Sequence, residues 1–94
     1  MKHLFYALND PTRRAILDLL RDGSRTAGEI ADAFAATKPT ISHHLRVLAQ
    51  ADLVTAEKDG RYLIYSLQTT VLEEAIQWLL ALRRSEEAAS RSTS

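Results

Sequence analysis

The stretch that decides the fold is Thr37-Lys38-Pro39-Thr40-Ile41-Ser42-His43-His44-Leu45-Arg46-Val47-Leu48, which predicts one helix with two chemically different faces. One face follows the spacing i, i+3, i+4 and i+7 of a stripe that packs on a hydrophobic core; it consists of Ile41, His44, Leu45 and Leu48. The other face carries short hydroxyl, imidazole, guanidinium and ammonium groups, on Lys38, Pro39, Ser42, His43 and Arg46. Such groups can reach phosphates and base edges in a DNA major groove, and Thr40 is a further contact candidate.

A second, shorter helix is predicted immediately before this one. Thr26 and Glu29 have the spacing of a capping box, which begins a helix that continues to about residue 35. Thr37 suits the N-cap of the following helix, and Pro39 suits its first turn, where the missing N–H costs little. Two short helices with a tight joint at residues 35–37 predict a helix-turn-helix, although the Gly that is usual in such a joint is missing.

Beyond the helix-turn-helix, the hydrophobic pattern changes from a helical period to strict alternation. Residues 53–58 and 61–67 are predicted to form two strands, and Asp59-Gly60 between them is a strong hairpin signal. A hairpin in this place is a wing, with Lys58 and Arg61 on either side of its tip. We expect these two cations to contact phosphates or the minor groove; the alternative is that they only keep the hairpin tip soluble.

Helices are also predicted before and after this unit. Residues 3–8 and about 10–21 form the first two, with Asp10 as a cap and Pro11 in the first turn. The last helix runs to about Arg84 and carries two adjacent apolar stripes, more than one small domain usually covers by itself. We therefore expect a homodimer with two-fold symmetry. Its expected interface residues are Leu4, Phe5, Leu8, Leu72, Ile76, Trp78, Leu79 and Leu82.

Length and composition limit the possible functions. The 94 residues suit one domain over residues 1–84, followed by a polar tail over residues 85–94 that we expect to be disordered. There is no Cys and no apolar run near the roughly 20 residues that span a bilayer, and the apolar stretch in residues 1–10 is shorter than we expect of a signal peptide. We therefore expect a cytoplasmic protein without membrane insertion. The net charge of zero counts against DNA binding. Any affinity for DNA must therefore come from the local placement of cations and from the two binding sites of a dimer.

Several other residues have more than one possible role. His44 is expected to be a partly buried structural imidazole with a hydrogen-bond partner, whereas Arg13 and Arg14 could form a salt bridge or contact phosphate. An enzyme is not expected, because neighbouring helix positions such as Ser42 and His43 point about 100° apart and do not face each other. The sequence also lacks a plausible orienting acid, an oxyanion loop and a phosphate-binding Gly motif, and no cofactor is expected.

Three motifs resemble those of the ArsR-type winged-helix repressors of bacteria. They are Asp10-Pro11-Thr12-Arg13-Arg14, residues 41–48, and residues 60–67 placed after Ala51-Asp52-Leu53-Val54. Their order and spacing are specific and cover residues 4–82, and the last helix looks most like that of the SdpR autorepressor branch. The resemblance implies an α+β, mainly α, winged helix-turn-helix of about five helices. It also implies a homodimer that binds operator DNA through the helix at 38–50, with its wings on flanking DNA.

This sequence departs from its apparent family in the segments that often bind metals. Residues 26–32 contain no Cys, and residues 69–94 contain no His and no Asp, so we do not expect a metal site or metal sensing. The function we predict is repression or autorepression of transcription by occluding a promoter. The alternatives are a metal- or ligand-responsive sensor on the same scaffold, or a winged helix used as a protein-interaction module. A regulatory partner protein is a further candidate.

Overall fold

The computed structural model describes the backbone of residues 2–92 and the side chains of residues 2–84. Within that range the elements, in chain order, are α1 (Lys2–Leu8), α2 (Pro11–Leu20), β1 (Arg25–Thr26), α3 (Ala27–Ala33), α4 (Lys38–Gln50), β2 (Val54–Asp59), β3 (Tyr62–Leu67) and α5 (Thr70–Ser92). Helices α3 and α4 form the helix-turn-helix, and β2 and β3 form the wing. The predicted fold class, a mainly helical winged helix-turn-helix, is confirmed.

Helix α4 lies at the centre of the molecule and packs on α1, α2, α3 and β2. Its stripe residues Ile41, Leu45 and Leu48 are completely buried. They meet fully buried side chains from four other parts of the chain, namely Leu4, Ile16, Ile30 and Leu53. Complete burial of such an aliphatic side chain contributes roughly 1.5–3 kcal/mol, so this stripe fixes which side of α4 faces solvent.

The predicted caps of the helix-turn-helix are present. The Thr26 N–H donates to Glu29 Oε1 over 2.9 Å, and the Glu29 N–H donates to Thr26 Oγ1 over 3.2 Å, which completes the capping box. Thr37 Oγ1 accepts from the Thr40 N–H at the start of α4. In the joint, Ala35 takes the left-handed conformation with φ of 49°, so an alanine occupies the conformation that a glycine would adopt without strain.

The sheet contains a strand that the sequence did not reveal. Its three antiparallel strands lie in the order β1-β3-β2, so the predicted two-stranded wing is extended by a short third strand. Arg25 pairs with Tyr65, and next to this pair the Ser24 and Ser66 hydroxyl oxygens lie 2.6 Å apart. A strand of two residues is too short to show an alternating pattern, which is why it was missed.

The wing hairpin turns one residue later than predicted. Asp59 pairs with Tyr62, so the two turn residues are Gly60 and Arg61 rather than Asp59 and Gly60. Gly60 has φ of 63°, the left-handed conformation that a two-residue hairpin turn requires at this position. The shift places Arg61 in the turn itself and leaves Lys58 in β2.

Two arginines of α2 cap the end of α1. Arg13 Nε donates to the Ala7 carbonyl over 2.8 Å, and its Nη2 donates to the Tyr6 carbonyl over 3.1 Å. Arg14 Nη1 donates to the Leu8 carbonyl over 2.6 Å. The last carbonyls of a helix lack partners within it, so these bonds satisfy the Ala7 and Leu8 carbonyls. The Tyr6 carbonyl gains a second donor, since it also accepts from the Asn9 N–H over 3.2 Å. Neither arginine forms a salt bridge with a described residue, and both cap α1 instead. A phosphate contact of the exposed Arg14 stays a prediction.

Helix α5 continues to Ser92, beyond the end predicted at Arg84. The backbone of residues 85–92 is thus helical where we expected a disordered tail, and residues 93 and 94 lie outside the described residues. The segment contains strong helix formers such as Glu86, Glu87 and Ala88, and it has no Gly or Pro that would end a helix. No helix in the described part of the chain is both long and apolar enough to cross a membrane.

Candidate nucleic-acid interface

The outward face of α4 carries all six residues that were predicted on it. They are exposed, in contrast to the buried stripe on the other side of the same helix: Lys38, Pro39, Thr40, Ser42, His43 and Arg46. Among the described side chains, those of Lys38, Ser42 and Arg46 form no hydrogen bond and no ion pair within the molecule. Their polar groups are therefore available to an external ligand.

Two residues of this face have partners within α4 and its cap. The Thr40 hydroxyl lies 2.9 Å from the Thr37 hydroxyl, so it takes part in the cap and is held at the start of the helix. The His43 ring lies beside the His44 ring, with centroids 5.8 Å apart and planes inclined by 54°. His44 itself is half-buried, and its Nδ1 lies 3.4 Å from Arg13 Nη1, as expected for a structural imidazole.

The wing lies beside the start of α4. A cleft of about 210 Å³ separates the two, with Lys38 and Ser42 of α4 on one side and Arg61 of the hairpin turn on the other. The structure thus brings these three predicted residues together, whereas His43, Arg46 and Lys58 do not line the cleft. We call the exposed face of residues 38–46, together with the wing cations Lys58 and Arg61, the reading surface. Arg61 borders the cleft beside α4, whereas Lys58 lines a separate pocket with Ser24, Glu57 and Asp59.

Other residues line the same cleft without having been predicted. Tyr62 and Leu63 are exposed apolar side chains of β3, and the Arg61 guanidinium carbon lies 5.8 Å from the centre of the Tyr62 ring. From α3, a Cβ added at Gly28 would lie 3.7 Å from Lys38 Cε, so the backbone there runs close to the lysine stem. No signal in the sequence places Gly28 and Tyr62 beside Lys38, because the three residues lie on separate elements.

The exposed face of α4 carries the cations Lys38 and Arg46 and no carboxylate, although the whole chain is neutral. In the wing, Lys58 lies between Glu57 and Asp59 along β2, and all three line one pocket, so two carboxylates lie near its ammonium group. No cation of the reading surface forms a salt bridge with another described residue; the Arg21–Asp18 pair lies on α2. The cations of the reading surface are therefore not neutralised by direct ion pairs.

The expected dimer residues divide into three groups by exposure. Five are well exposed on α1 and α5, which agrees with a surface that could receive a partner: Phe5, Ile76, Trp78, Leu79 and Leu82. Leu8 and Leu72 are half-buried against the core. Leu4 is only 1% exposed, because it and Ala7 form the core face of α1, so its inclusion in an interface between subunits was wrong.

A helix-turn-helix with an exposed polar second helix and an adjacent wing defines the class of DNA-binding transcriptional regulators of the winged-helix type. The family model described as "Bacterial regulatory protein, arsR family" matches residues 10–56. The chain therefore belongs to the ArsR family, and the resemblance seen in the three sequence motifs is confirmed.

Individual relatives agree with this assignment. The chain is 51% identical over 80 residues to the transcriptional repressor SdpR of Bacillus subtilis (strain 168). The aligned region covers 85% of this chain and 89% of that protein. It is 38% identical over 80 residues to an arsenical resistance operon repressor of Staphylococcus aureus, covering 85% and 77% of the two chains. Among solved structures, an ArsR-like transcriptional regulator from Rhodococcus sp. RHA1 superposes with a TM-score of 0.88 at 25% identity, covering 97% and 86%. These relatives are transcriptional regulators rather than enzymes.

Proposed function

We propose that this regulator is a homodimeric repressor that occludes a promoter by placing α4 in the major groove of its operator. The observation that carries the proposal is the division of α4 into a buried apolar stripe and an exposed face with free polar groups. Ser42 and Arg46 on that face have no partner among the described residues, so both side chains are free to contact DNA.

Each residue of the reading surface has a chemistry that suits one part of the duplex. Arg46 can pair with two acceptors of a guanine, and Ser42 and His43 can bond to base edges or phosphates. Lys38, Pro39 and Thr40 lie in the first turn of α4, the end of a recognition helix that typically contacts base edges. Lys58 and Arg61 extend from the wing towards flanking phosphates or the minor groove.

Dimerisation compensates for the small number of cations in each copy. The exposed apolar residues of α5 supply a surface that a second copy would cover. Two linked reading surfaces bind far more tightly than one, without any new contact. Recognition helices that read successive major grooves lie about 34–36 Å apart.

The direct test replaces Ser42 and His43 by Ala and measures affinity for the duplex that the wild-type protein enriches from a random-sequence pool. We expect a loss of about tenfold or more in specific affinity, with the melting temperature and the dimer unchanged, because both side chains are exposed. His3→Ala is the matched control, since it removes an exposed imidazole from α1. Unchanged affinity in the double variant would remove α4 from the reading role.

We also propose that the operator lies upstream of the regulator's own gene, as in an autorepressor, and that the protein acts in the cytoplasm, where such DNA is found. The likeness to a transcriptional repressor at 51% identity supports this assignment. A gel-shift titration with the protein's own upstream region and with a coding fragment of equal length tests it. Equal affinity for both fragments would contradict autorepression.

Metal sensing is not part of the proposed mechanism. The chain has no Cys and has neither His nor Asp after residue 69. The described residues contain no group of three or more potential ligands close enough to hold a metal ion. We expect stoichiometric zinc to leave operator affinity unchanged, and a tenfold change that a chelator reverses would show that the sensor alternative is correct.

The zero net charge favours one other function, that of a winged-helix module for protein interaction. A salt titration on duplex DNA separates the two, because a protein that neutralises phosphates loses affinity steeply as salt rises. A flat salt dependence, with no sequence preference, would support the interaction module or a response to a regulatory partner protein.

A further inference from the structure

Arg13 joins three helices through a single guanidinium group. The side chain is only 6% exposed, and it donates to the Ala7 and Tyr6 carbonyls at the end of α1. The guanidinium carbon also lies 5.1 Å from the centre of the Tyr6 ring. Its remaining nitrogen, Nη1, points to α4 and lies 3.4 Å from His44 Nδ1. Arg13 thus connects α1 and α2 to the helix that carries the reading surface.

The hydrogen bond with Arg13 requires one particular tautomer of the neutral His44 imidazole. A guanidinium group has only donors, so His44 Nδ1 must accept the hydrogen bond, and the ring proton of the neutral imidazole then lies on Nε2. The contact is therefore directional, unlike the apolar packing of Ile41, Leu45 and Leu48 on the same side of α4. Apolar packing fixes which side of α4 faces the core, and a directional bond further restrains small rotations about the helix axis.

We propose that the Arg13–His44 hydrogen bond orients α4 for operator reading, so that His44 is a positioning residue of the DNA-binding site although it does not belong to the exposed face. The inference rests on the proposed reading role of α4. His44 directly precedes the buried Leu45 and follows the exposed His43, whose ring it contacts, so rotation of His44 moves the reading surface. At the Arg13 end of this hydrogen bond, the guanidinium group is held by the carbonyls of α1. Helix α1 also carries the exposed Phe5 expected at the dimer interface.

Three substitutions at His44 test whether Arg13 needs a hydrogen-bond acceptor on α4 and where that acceptor must lie. Asn Oδ1 is attached to Cγ, as Nδ1 is in histidine, so His44→Asn keeps an acceptor near Arg13. His44→Gln carries the same amide one bond farther out, and His44→Leu removes the acceptor but retains apolar bulk. Affinity is measured by gel-shift titration on the duplex that the wild-type protein enriches from a random-sequence pool, and stability by thermal unfolding of the same samples.

We expect His44→Asn to bind within about threefold of wild type, and His44→Gln and His44→Leu to bind about tenfold more weakly, the effect of one charge-assisted hydrogen bond. Stability should follow a different order, because Gln and Leu have higher helix propensity than Asn. If His44 only stabilised the fold, DNA affinity would follow stability across the three variants. Equal affinity of the Asn and Gln variants would therefore overturn the proposal. Wild-type affinity of His44→Leu would overturn it as well.

The Ser42→Ala, His43→Ala variant separates this inference from the proposed function. If that double variant loses affinity while His44→Leu binds like wild type, the positioning role is wrong and the reading role stands. If all of these variants bind like wild type, both are wrong. The expected combination is loss in the double variant, loss in His44→Leu and recovery in His44→Asn.

Discussion

Asp10 has a small but measurable role at the junction of α1 and α2. Its Oδ2 accepts from the Arg13 N–H over 2.9 Å, which caps the start of α2. That backbone hydrogen bond is the main reason why the pKa of Asp10 lies below its usual value of 3.8; burial opposes the shift, and the charge of Arg13 lowers the pKa further. The ionised carboxylate is therefore the form that stabilises the fold.

The cap predicts a stability difference that depends on pH. Asp10→Ala should lower the free energy of unfolding by about 1 kcal/mol near neutral pH, the usual value of an N-cap. Because the folded-state pKa is depressed, this contribution is fully present above pH 3.8 and is lost as the pH falls through the lower folded-state pKa. Chemical denaturation of both proteins over acidic and neutral pH measures the difference.

Asp10→Asn is the matched control for that experiment. Asn is as good an N-cap as Asp but does not titrate, so the Asn variant should keep neutral-pH stability without the acid-dependent loss at this site. An Ala variant as stable as wild type near neutral pH would show that the Asp10 hydrogen bond contributes nothing.

At the scale of the element, the joint of the helix-turn-helix contains a correctable strain. Ala35 is exposed and has φ of 49°, a conformation that costs an L-residue roughly 1–2 kcal/mol. Ala35→Gly removes this cost but adds about 0.4–1 kcal/mol of unfolded-chain entropy. We therefore expect a net gain in unfolding free energy of up to about 1 kcal/mol, measured by chemical denaturation.

The control for Ala35→Gly is the reverse substitution, Gly to Ala, in the turn of the wing. Gly60 has φ of 63°, and no atom lies within 4 Å of a Cβ added there, so Gly60→Ala introduces conformational strain without a clash. It should lower stability by about 1 kcal/mol. Changes of the same sign at both positions would contradict this explanation, which relies on backbone conformation alone.

The elements that the sequence predicted well are those with a local chemical signal. Caps at Asp10, Thr26 and Thr37 marked three helix starts, because capping involves residues only three positions apart. β1 was missed because its pairing with β3 depends on tertiary contact. The capping role of Arg13 was also missed, because its partners are backbone carbonyls of another helix, which have no signature in the sequence.

The same distinction holds for the candidate site. The exposed face of α4 followed from helical periodicity around Ile41 and Leu45. Its closeness to Arg61 and Tyr62 of the wing could not be derived, because hydrophobic spacing does not report the distance between separate elements. The roles of the reading-surface residues in DNA binding stay predictions.

At the scale of the whole molecule, the proposed dimer predicts that the apolar face of α5 couples assembly to DNA binding. Trp78 is 47% exposed and Leu79 is 48% exposed, so a second copy would remove considerable apolar area from water. Leu79→Glu places a charge in that face and should dissociate the dimer. Operator affinity should then fall by about a hundredfold or more, because the two reading surfaces are no longer linked.

Sedimentation and gel-shift titration on the same sample measure both effects. Gln77→Glu is the matched control, because it adds the same charge to an exposed position on the polar side of α5. That variant should remain a dimer and keep operator affinity. A folded Leu79→Glu monomer that holds the operator as tightly as wild type would disprove the coupling.

The short strand β1 has a consequence for anyone who recombines this protein with its relatives. β3 is the central strand, and it pairs with β1 on one side and β2 on the other, while Ser24 and Ser66 meet beside them. A wing transplanted as residues 54–67 alone would leave its partner strand behind and acquire a poorly matched edge. The smallest interchangeable module is therefore discontinuous: it consists of residues 24–26 and residues 54–67, which a successful chimera must inherit from the same parent.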